Sequence, residues 1–340
     1  MKRVFITAFI FLLLLVSACQ PMPKQTPTPN PQTIVTRPAP TSTPTPSPTQ
    51  KPTSMPTPTL SPTPILKPSL TPSPALKIDK RTWFVPYDYK SLAEAVQVAN
   101  SGDIIRLKGG TLDIGGLTVF KPLTIVGDGV DITVLKGTMQ VTSSGVVIQR
   151  ITISTLEIGL GGEISREVVG FSVSSIKAGS IRSIALGDIN IVNSELGGGI
   201  IGRGSITMEN SQIGITGGAS RAFIIQGDAS GRVSHNVITG SLTIGRPGQS
   251  KIAPRHTISF NSFTETASLS VMAADNVFEN NDFLRGTEQV SDSGERNTWR
   301  SNFWGGGWDA AKPVPIKGSA KSVDRSPSPK PISGQGANKP

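Results

Sequence analysis

Residues 91–129 read SLAEAVQVANSGDIIRLKGGTLDIGGLTVFKPLTIVGDG. Ser91 stands three residues before Glu94, and at this spacing each side chain can accept a hydrogen bond from the other residue's backbone N–H at a helix start. Apolar residues then recur at helical spacing on one face, and Gly102 favours an end to the helix. After Gly102 the apolar period changes to two, in runs separated by glycine pairs. The stretch therefore predicts one short helix that covers the end of a stack of strands.

A family resemblance rests on four parts of this stretch: the helix, the turn SGDII at residues 101–105, KGGTL and KPLTIVGDG. Together they resemble the opening of the right-handed parallel β-helices of the pectin-lyase-like superfamily. The resemblance is close over residues 82–136 and continues beyond them only as a similar kind of repeat. It implies an all-β fold, a single-stranded right-handed parallel β-helix with a short N-terminal capping α-helix. It implies no particular activity, because pectin esterases, other polysaccharide-acting enzymes and surface proteins share this opening.

The first 18 residues predict a lipoprotein signal peptide, with two basic residues before an apolar run that ends in small residues. The run Val4–Val16 is shorter than the ~20 residues of a membrane-spanning helix. The sequence VSAC at residues 16–19 resembles the lipobox of bacterial lipoproteins, and its Cys19 is the only cysteine in the chain. Its position favours lipidation over a buried structural thiol. We therefore expect an extracytoplasmic protein that Cys19 attaches to the surface of a bacterial cell membrane.

Two other segments predict no packed structure. In residues 21–77, 37 of 57 positions are Pro, Thr or Ser, so residues 19–79 are expected to form an extended, disordered linker without a core. Residues 310–340 are rich in Pro, Ser, Gly and Lys, lack a strand pattern, and are expected to form a disordered basic tail. Residues 80–309 remain as one β-helix domain.

The net charge of +10 does not indicate a nucleic-acid-binding protein. Residues 81–311 contain 19 Lys and Arg against 21 Asp and Glu, a net charge of −2, so the positive excess lies outside the predicted domain. A nucleic-acid site needs its basic residues on a folded face. The predicted partners are therefore the membrane, through Cys19, and a polysaccharide or cell-wall polymer, with no nucleic acid.

An apolar–Asn–apolar unit repeats in the second half of the domain, where successive asparagines are 25, 19 and 22 residues apart. Asparagine tolerates left-handed backbone and can bond to the next coil, so one unit per coil corner is expected. The spacing predicts about ten coils of ~20 residues. The unit occurs at Asn236, Asn261, Asn280 and Asn302, and Asn193 and Asn210 extend it.

Tryptophan and tyrosine are confined to the two ends of the predicted domain, at residues 83–89 and 299–308. Aromatic rings with a polar atom sit well at half-buried positions, and both ends of a solenoid must be covered. We therefore interpret these rings as end caps and keep sugar-stacking platforms as the alternative.

The superfamily's enzymatic motifs are incomplete in this chain. Pectin-esterase-like enzymes carry aspartates in sequences resembling QDTL and DFIFG and an arginine in LGRPW, whereas this chain has only QGD at 226–228 and GRPG at 245–248. The clustered aspartates and Gly-His-Gly of galacturonases are absent, as is the Asp-Pro-His of uronan epimerases. The two histidines, His235 and His256, differ in position relative to the asparagine unit, which disfavours a shared metal site.

Two opposite charge clusters remain as candidate sites. Residues 221–256 have a local balance of +4, and residues 275–295 one of −5. The arginines of the first cluster could bind an acidic glycan through bidentate guanidinium contacts. The carboxylates of the second cluster are weak candidates for binding Ca²⁺, the only cofactor that the sequence suggests. The alternative is that the two clusters compensate each other on a solvated face. The predicted binding residues are Arg221, Arg232, Arg246, Lys251 and Arg255, and the calcium candidates are Asp275, Glu279 and Asp282.

We predict from these observations a non-catalytic surface protein that contacts polysaccharide or another envelope component, with no catalytic residue assigned. The enzymatic alternative is a polysaccharide lyase or pectin-esterase-like enzyme acting on acidic glycans. The third possibility is a purely structural surface rod.

Overall fold

The computed structural model describes residues 80–159, 167–216, 219–220, 222–248, 255–305 and 308–332. Within these ranges the chain forms an all-β solenoid of about 10 turns, which confirms the predicted all-β solenoid and its number of coils. Cys19, the predicted linker, Arg221 and Lys251 lie outside the described residues.

One sheet contains all but two of the described strands. In chain order the strands are Thr82–Val85, Ile104–Leu107, Gly110–Val119, Thr124–Gly127, Thr133–Val141, Val147–Gln149, Thr152–Ile158, Phe171–Ser174, Lys177–Ser183, Asp188–Val192, Glu195–Glu209, Gln212–Ile213, Ile215–Thr216, Ala219–Ser220, Ala222–Ser234, Val237–Ile238, Ser241–Ile244, His256–Ser259, Ser262–Phe263, Ser268–Val271, Val277–Glu279, Asp282–Phe283, Val290–Asp292, Thr298–Arg300, Val314–Pro315 and Val323–Asp324.

Three stacks of parallel strands, faces A, B and C, enclose the core, and each stack has one inward column of residues. Face A has the inward column Trp83, Ile105, Ile125, Ile148, Val173, Ile191, Met208, Val233, Ile258, Phe278 and Trp299. Face B has Leu112, Leu135, Ile153, Ala178, Leu196, Ile213, Ile238, Phe263 and Phe283. Face C has Leu117, Met139, Leu156, Ile181, Gly199, Phe223, Leu242, Leu269 and Val290. Stacking of apolar side chains from coil to coil gives one continuous core.

The predicted helix spans Leu92–Val98 and buries Leu92, Ala95 and Val96. Ser91 Oγ accepts from the Glu94 backbone N–H at 3.2 Å, but the Glu94 carboxylate accepts from the N–H of Lys90, one residue before the expected donor. A single 3₁₀ turn, Gly286–Gln289, is the other helical element of the described residues. None of the helices described is both long and apolar enough to cross a bilayer.

Buried carboxylates hold tryptophan indoles at both ends of the described solenoid. At the start, Trp83 Nε1 donates to Asp103 at 2.9 Å. At the far end, Trp299 Nε1 donates to Asp292 at 2.8 Å, and Trp304 Nε1 donates to Asp324 at 3.1 Å. The Trp299 and Trp304 rings also stack on core phenylalanines, with centroid distances of 4.1 and 4.6 Å. These contacts support the end-cap interpretation for the three tryptophans.

The C-terminal segment differs from the expectation of a disordered tail from residue 310. Strands Val314–Pro315 and Val323–Asp324 pair with each other, and Asp324 pairs with Trp299 of face A. Val314 and Asp324 are fully buried. The physical reason is that the last coil still has backbone and indole N–H groups to satisfy, and Asp324 accepts from Asn302 and Trp304.

A buried ladder of hydrogen bonds runs along the corner between faces A and B. From Ser194 onward, a side-chain oxygen in each coil accepts the backbone N–H of the equivalent residue one coil earlier, as Asn281 Oδ1 does from Asn261 N at 3.1 Å. The ladder comprises Ser194, Ser211, Asn236, Asn261, Asn281, Asn302 and Asp324. The prediction was correct at Asn236, Asn261 and Asn302.

Three members of the predicted ladder are wrong by one residue. Asn193, Asn210 and Asn280 instead take the left-handed backbone conformation, with φ of 52°, 50° and 56°, directly before the ladder position. The predicted unit requires one asparagine to supply both the left-handed backbone and the bond between coils. The structure divides them between two adjacent residues.

Candidate functional site

The outer side of face A brings together four segments from successive coils: residues 188–193, 203–210, 228–235 and 255–260. We call this the face A surface. Adjacent segments lie ~4.8 Å apart, so side chains at equivalent positions form rows across the coils. Two of the predicted binding residues, Arg232 and Arg255, lie on this surface. An open cleft runs along one of its edges.

The cleft has a volume of about 570 Å³ and a mixed-charge lining. Parallel pairing places Asp188 next to Ser205, and Ser205 next to Ser230. The same pairing places Arg203 opposite Asp228. Ser205 Oγ donates a hydrogen bond to Asp188 Oδ1. The lining residues are Leu186, Asp188, Arg203, Gly204, Ser205, Asp228 and Ser230. Two carboxylates, a guanidinium and two hydroxyls on one open surface can bind a polar ligand rich in hydroxyl groups.

Sequence reasoning missed Asp188 and Arg203 as site residues. Asp228 was noticed only as part of an esterase-like fragment. Forty residues separate Asp188 from Asp228, and only the register of three coils shows that they line the same cleft. The one available signal was a charged residue beside glycine in each of the short sequences GDIN, GRGS and QGDA.

The structure separates the predicted arginines. Arg232 is exposed on face A between Thr207 and Thr257, and it forms no ion pair or side-chain hydrogen bond with the described residues. Arg255 is exposed one coil farther on, directly before His256. Arg246 follows the face C strand Ser241–Ile244 and therefore belongs to another side of the solenoid.

The calcium candidates do not converge. Asp275 accepts two hydrogen bonds from Arg296, at 2.7 and 2.8 Å, and Glu279 accepts one from Arg300 at 2.7 Å. Asp282 is buried and accepts from the Ile332 N–H at 2.8 Å. Among the described residues, no group of three or more carboxylate, histidine or cysteine side chains could hold a metal ion.

The two charge clusters compensate each other less than expected. The pKa of Asp275 is lowered mainly by its hydrogen bonds from Arg296, and the charge of Arg255 adds to this effect. In the described part of the chain, the other acidic side chains of the 275–295 cluster that form ion pairs do so with Arg296, Arg300 and Lys317, not with the 221–256 cluster.

The two histidines occupy unlike environments. His235 is half-buried at a coil corner, where its ring stacks on Phe260 with a centroid distance of 5.1 Å. His256 is fully buried, and neither of its ring nitrogens has a hydrogen-bond partner among the described residues. Burial without a partner disfavours the imidazolium and lowers the pKa of His256 from its ordinary 6.5 to about 4.

His256 is expected to make the protein less stable as the pH falls from 6.5 to about 4. In this window the unfolded chain binds a proton that the folded chain excludes, a cost that grows to ~3 kcal/mol at the lower end. His256→Met replaces the imidazole by an apolar side chain of similar size that cannot bind a proton. It should therefore reduce the dependence of stability on pH. Urea unfolding midpoints between pH 7 and 4.5 measure it, and equal slopes for both proteins would contradict the prediction.

Asp103 does not interfere in that window. Burial opposes its ionisation, but hydrogen bonds from the Trp83 indole and from the backbone of Asn100 and Arg81 leave the pKa of Asp103 below its usual 3.8. The stability that ionised Asp103 contributes is therefore lost only at a pH below the window in which His256 destabilises the protein.

Comparisons with known proteins give structural similarities but no sequence match. No protein-family model matches the chain, and no curated protein sequence matches it. Two similar solved structures are of the PL6 family alginate lyase AlyGC, one of them a mutant. The mutant aligns with a TM-score of 0.35 and 16% identity, and the other with 0.30 and 14%. Each alignment covers 66% of this chain and 35% of the lyase chain.

Proposed function

We propose that this protein is a lipid-anchored, extracytoplasmic right-handed β-helix that binds an acidic polysaccharide of the cell envelope without cleaving it. The observation that carries the proposal is Arg232, an exposed guanidinium without an ion-pair partner among the described residues, at the centre of the face A surface. Arg255 lies in the next coil, and the cleft of Asp188, Arg203 and Asp228 opens along the edge of the same surface.

The chemistry of this surface suits a sugar polymer. A guanidinium binds a carboxylate in bidentate fashion, with charge-assisted hydrogen bonds. The carboxylates of the cleft can accept hydrogen bonds from sugar hydroxyls, and its serine hydroxyls can both donate and accept them. Because equivalent side chains recur every ~4.8 Å along the stack, a linear polymer can meet several coils at once. Each contact is then weak, and affinity comes from their number.

The binding proposal predicts that Arg232→Gln weakens retention of polygalacturonate about three- to tenfold, the effect of losing one charge-assisted contact of ~0.7 to 1.4 kcal/mol. Arg246→Gln is the matched control, because Arg246 is equally an exposed arginine but lies on another side of the solenoid. Affinity for wild type should fall with salt, since exposed charges are screened within ~8 to 10 Å at moderate ionic strength.

Affinity electrophoresis against polygalacturonate and neutral dextran measures these effects. Equal retention of both polymers, or the same loss for Arg246→Gln as for Arg232→Gln, would remove the proposed site. Unsaturated uronate absorbance, followed with and without Ca²⁺, tests the absence of cleavage. A steady rise in absorbance would favour the lyase alternative instead.

The anchor is a separate part of the proposal and rests on the sequence at residues 16–19. Two or more acyl chains at ~0.8 kcal/mol per buried CH₂ hold a protein on a membrane stably. Cys19→Ser should therefore move the protein from the membrane fraction to the soluble fraction, or leave an unprocessed precursor. A processed Cys19→Ser protein that stays in the membrane fraction would contradict lipid anchoring.

The right-handed winding and the capping role of the helix Leu92–Val98 are also parts of the proposal. The family resemblance supports the hand of the coil. Burial of Leu92, Ala95 and Val96 against the first strands supports the cap. An experimental structure with left-handed coils, or a stable monomer that lacks residues 91–99, would contradict them.

A further inference from the structure

From residue 150 onward, one corner of the solenoid carries a column of residues with left-handed backbone, one per coil, each directly after a face A strand. Most of them are small or polar, and left-handed backbone is most accessible to asparagine, aspartate and histidine among residues with a side chain. The column comprises Arg150, Ser175, Asn193, Asn210, His235, Phe260, Asn280 and Ser301, with φ between 50° and 58°.

Phe260 is the only large apolar residue in this column. A bulky residue at φ of 57° is a genuine outlier, and its backbone strain is not repaid by burial, because the side chain remains 38% exposed. Asparagine stands at three other positions of the column, so the corner itself does not require an aromatic ring. A strained, exposed ring indicates a role outside the core.

The Phe260 ring stacks on the His235 ring of the preceding coil, with an interplanar angle of 7°. This pairing fixes both rings at the edge of the face A surface that lies opposite the cleft. Arg232 stands three residues before His235, near the end of the strand Ala222–Ser234, and Asn210 and Asn280 occupy the equivalent corner position in the flanking coils. The ring pair therefore shares its part of the surface with a guanidinium that is unpaired among the described residues, in the same coil as His235, and with an asparagine at the corner of each flanking coil.

We propose that the stacked His235 and Phe260 rings form a subsite for one pyranose ring of the bound polysaccharide. This inference rests on the proposed function and names the part of the surface that recognises the sugar itself. A pyranose has an apolar C–H face and a polar rim, which fits an aromatic pair surrounded by amides and an arginine. An apolar protein partner fits less well, because Phe260 is the only exposed large apolar side chain of the face A surface. Arg232 takes the sugar's carboxylate.

The test compares two polyanions, polygalacturonate and poly-glutamate, which both carry carboxylates but of which only the first has sugar rings. Phe260→Asn places the column's commonest residue at this corner and should leave the urea midpoint unchanged or raise it. Its affinity for polygalacturonate should fall about three- to tenfold, the range for aromatic contacts, while its affinity for poly-glutamate stays the same. His235→Asn should act in the same direction, and Ser301→Asn, two coils away, is the control.

The outcomes separate the two proposals. If wild type binds neither polyanion, the proposed function fails and the subsite fails with it. If wild type binds both polymers and Phe260→Asn changes neither affinity, the stacking subsite is overturned while the charge-based function stands. An equal loss for both polymers, or a loss of folded protein in Phe260→Asn, would also overturn the subsite, because the ring would then have an electrostatic or structural effect.

Discussion

Replacing Asn281 by alanine is expected to lower the free energy of unfolding by about 3–5 kcal/mol, whereas Asn280→Ala should cost only about 1 kcal/mol. Asn281 is fully buried. Its Oδ1 accepts from the backbone and side-chain N–H groups of Asn261, and its Nδ2 donates to Ile258 O and Asn302 Oδ1, all between 2.9 and 3.1 Å. Alanine would leave these buried partners unsatisfied in both neighbouring coils at once.

Asn280 is the matched control, because it is the same residue type one position earlier. Its side chain is half-buried and makes no hydrogen bond with the described residues, so its replacement costs only the strain of alanine at φ of 56°. Urea denaturation of both variants measures the difference. Similar midpoints for the two variants would show that the ladder adds little to stability. A larger loss for Asn280→Ala would show that Asn280 belongs to the ladder, as the sequence predicts.

Gly231→Ala is the second change with a large expected effect, about 3–6 kcal/mol from backbone strain and steric overlap together. Gly231 has φ of 132°, and a Cβ at this position would lie 1.9 Å from the backbone oxygen of Ile206. A backbone atom in the neighbouring strand cannot rotate away as a side chain can. The two coils would have to separate locally.

The control for Gly231 is Gly102→Ala. Gly102 also has positive φ, 91°, but a Cβ there meets nothing within 4 Å, so only the strain of about 1–2 kcal/mol applies. Gly231 stands between Ser230 of the cleft and Arg232, and its replacement should therefore also weaken polygalacturonate retention. Thermal unfolding and retention measured on both variants test this, and an unchanged melting temperature for Gly231→Ala would contradict the close approach of the strands.

Part of the candidate site was predictable from sequence. Exposed arginines in polar surroundings were recognisable, and Arg232 and Arg255 do lie on one surface. Arg246 was grouped with them because it is close in sequence, but in a solenoid ten residues are enough to pass from one side to another. Phe260 gave no signal, because its backbone conformation cannot be read from the residue type.

The sequence by itself determined the solenoid, its approximate number of coils and the tryptophans at its ends. Each coil must bury apolar side chains on every face, and this requirement leaves a pattern of short apolar runs that local reading detects. The register between coils is seen only in the folded chain, and it places Asp188, Arg203 and Asp228 in one cleft and Asn281, not Asn280, in the ladder. The physical reason is that coil length varies, from 17 to 25 residues between successive ladder positions, so no fixed period relates one coil to the next. The side chains that accept hydrogen bonds from buried backbone N–H groups determine which residues of adjacent coils become neighbours. These hydrogen bonds exist only in the folded chain.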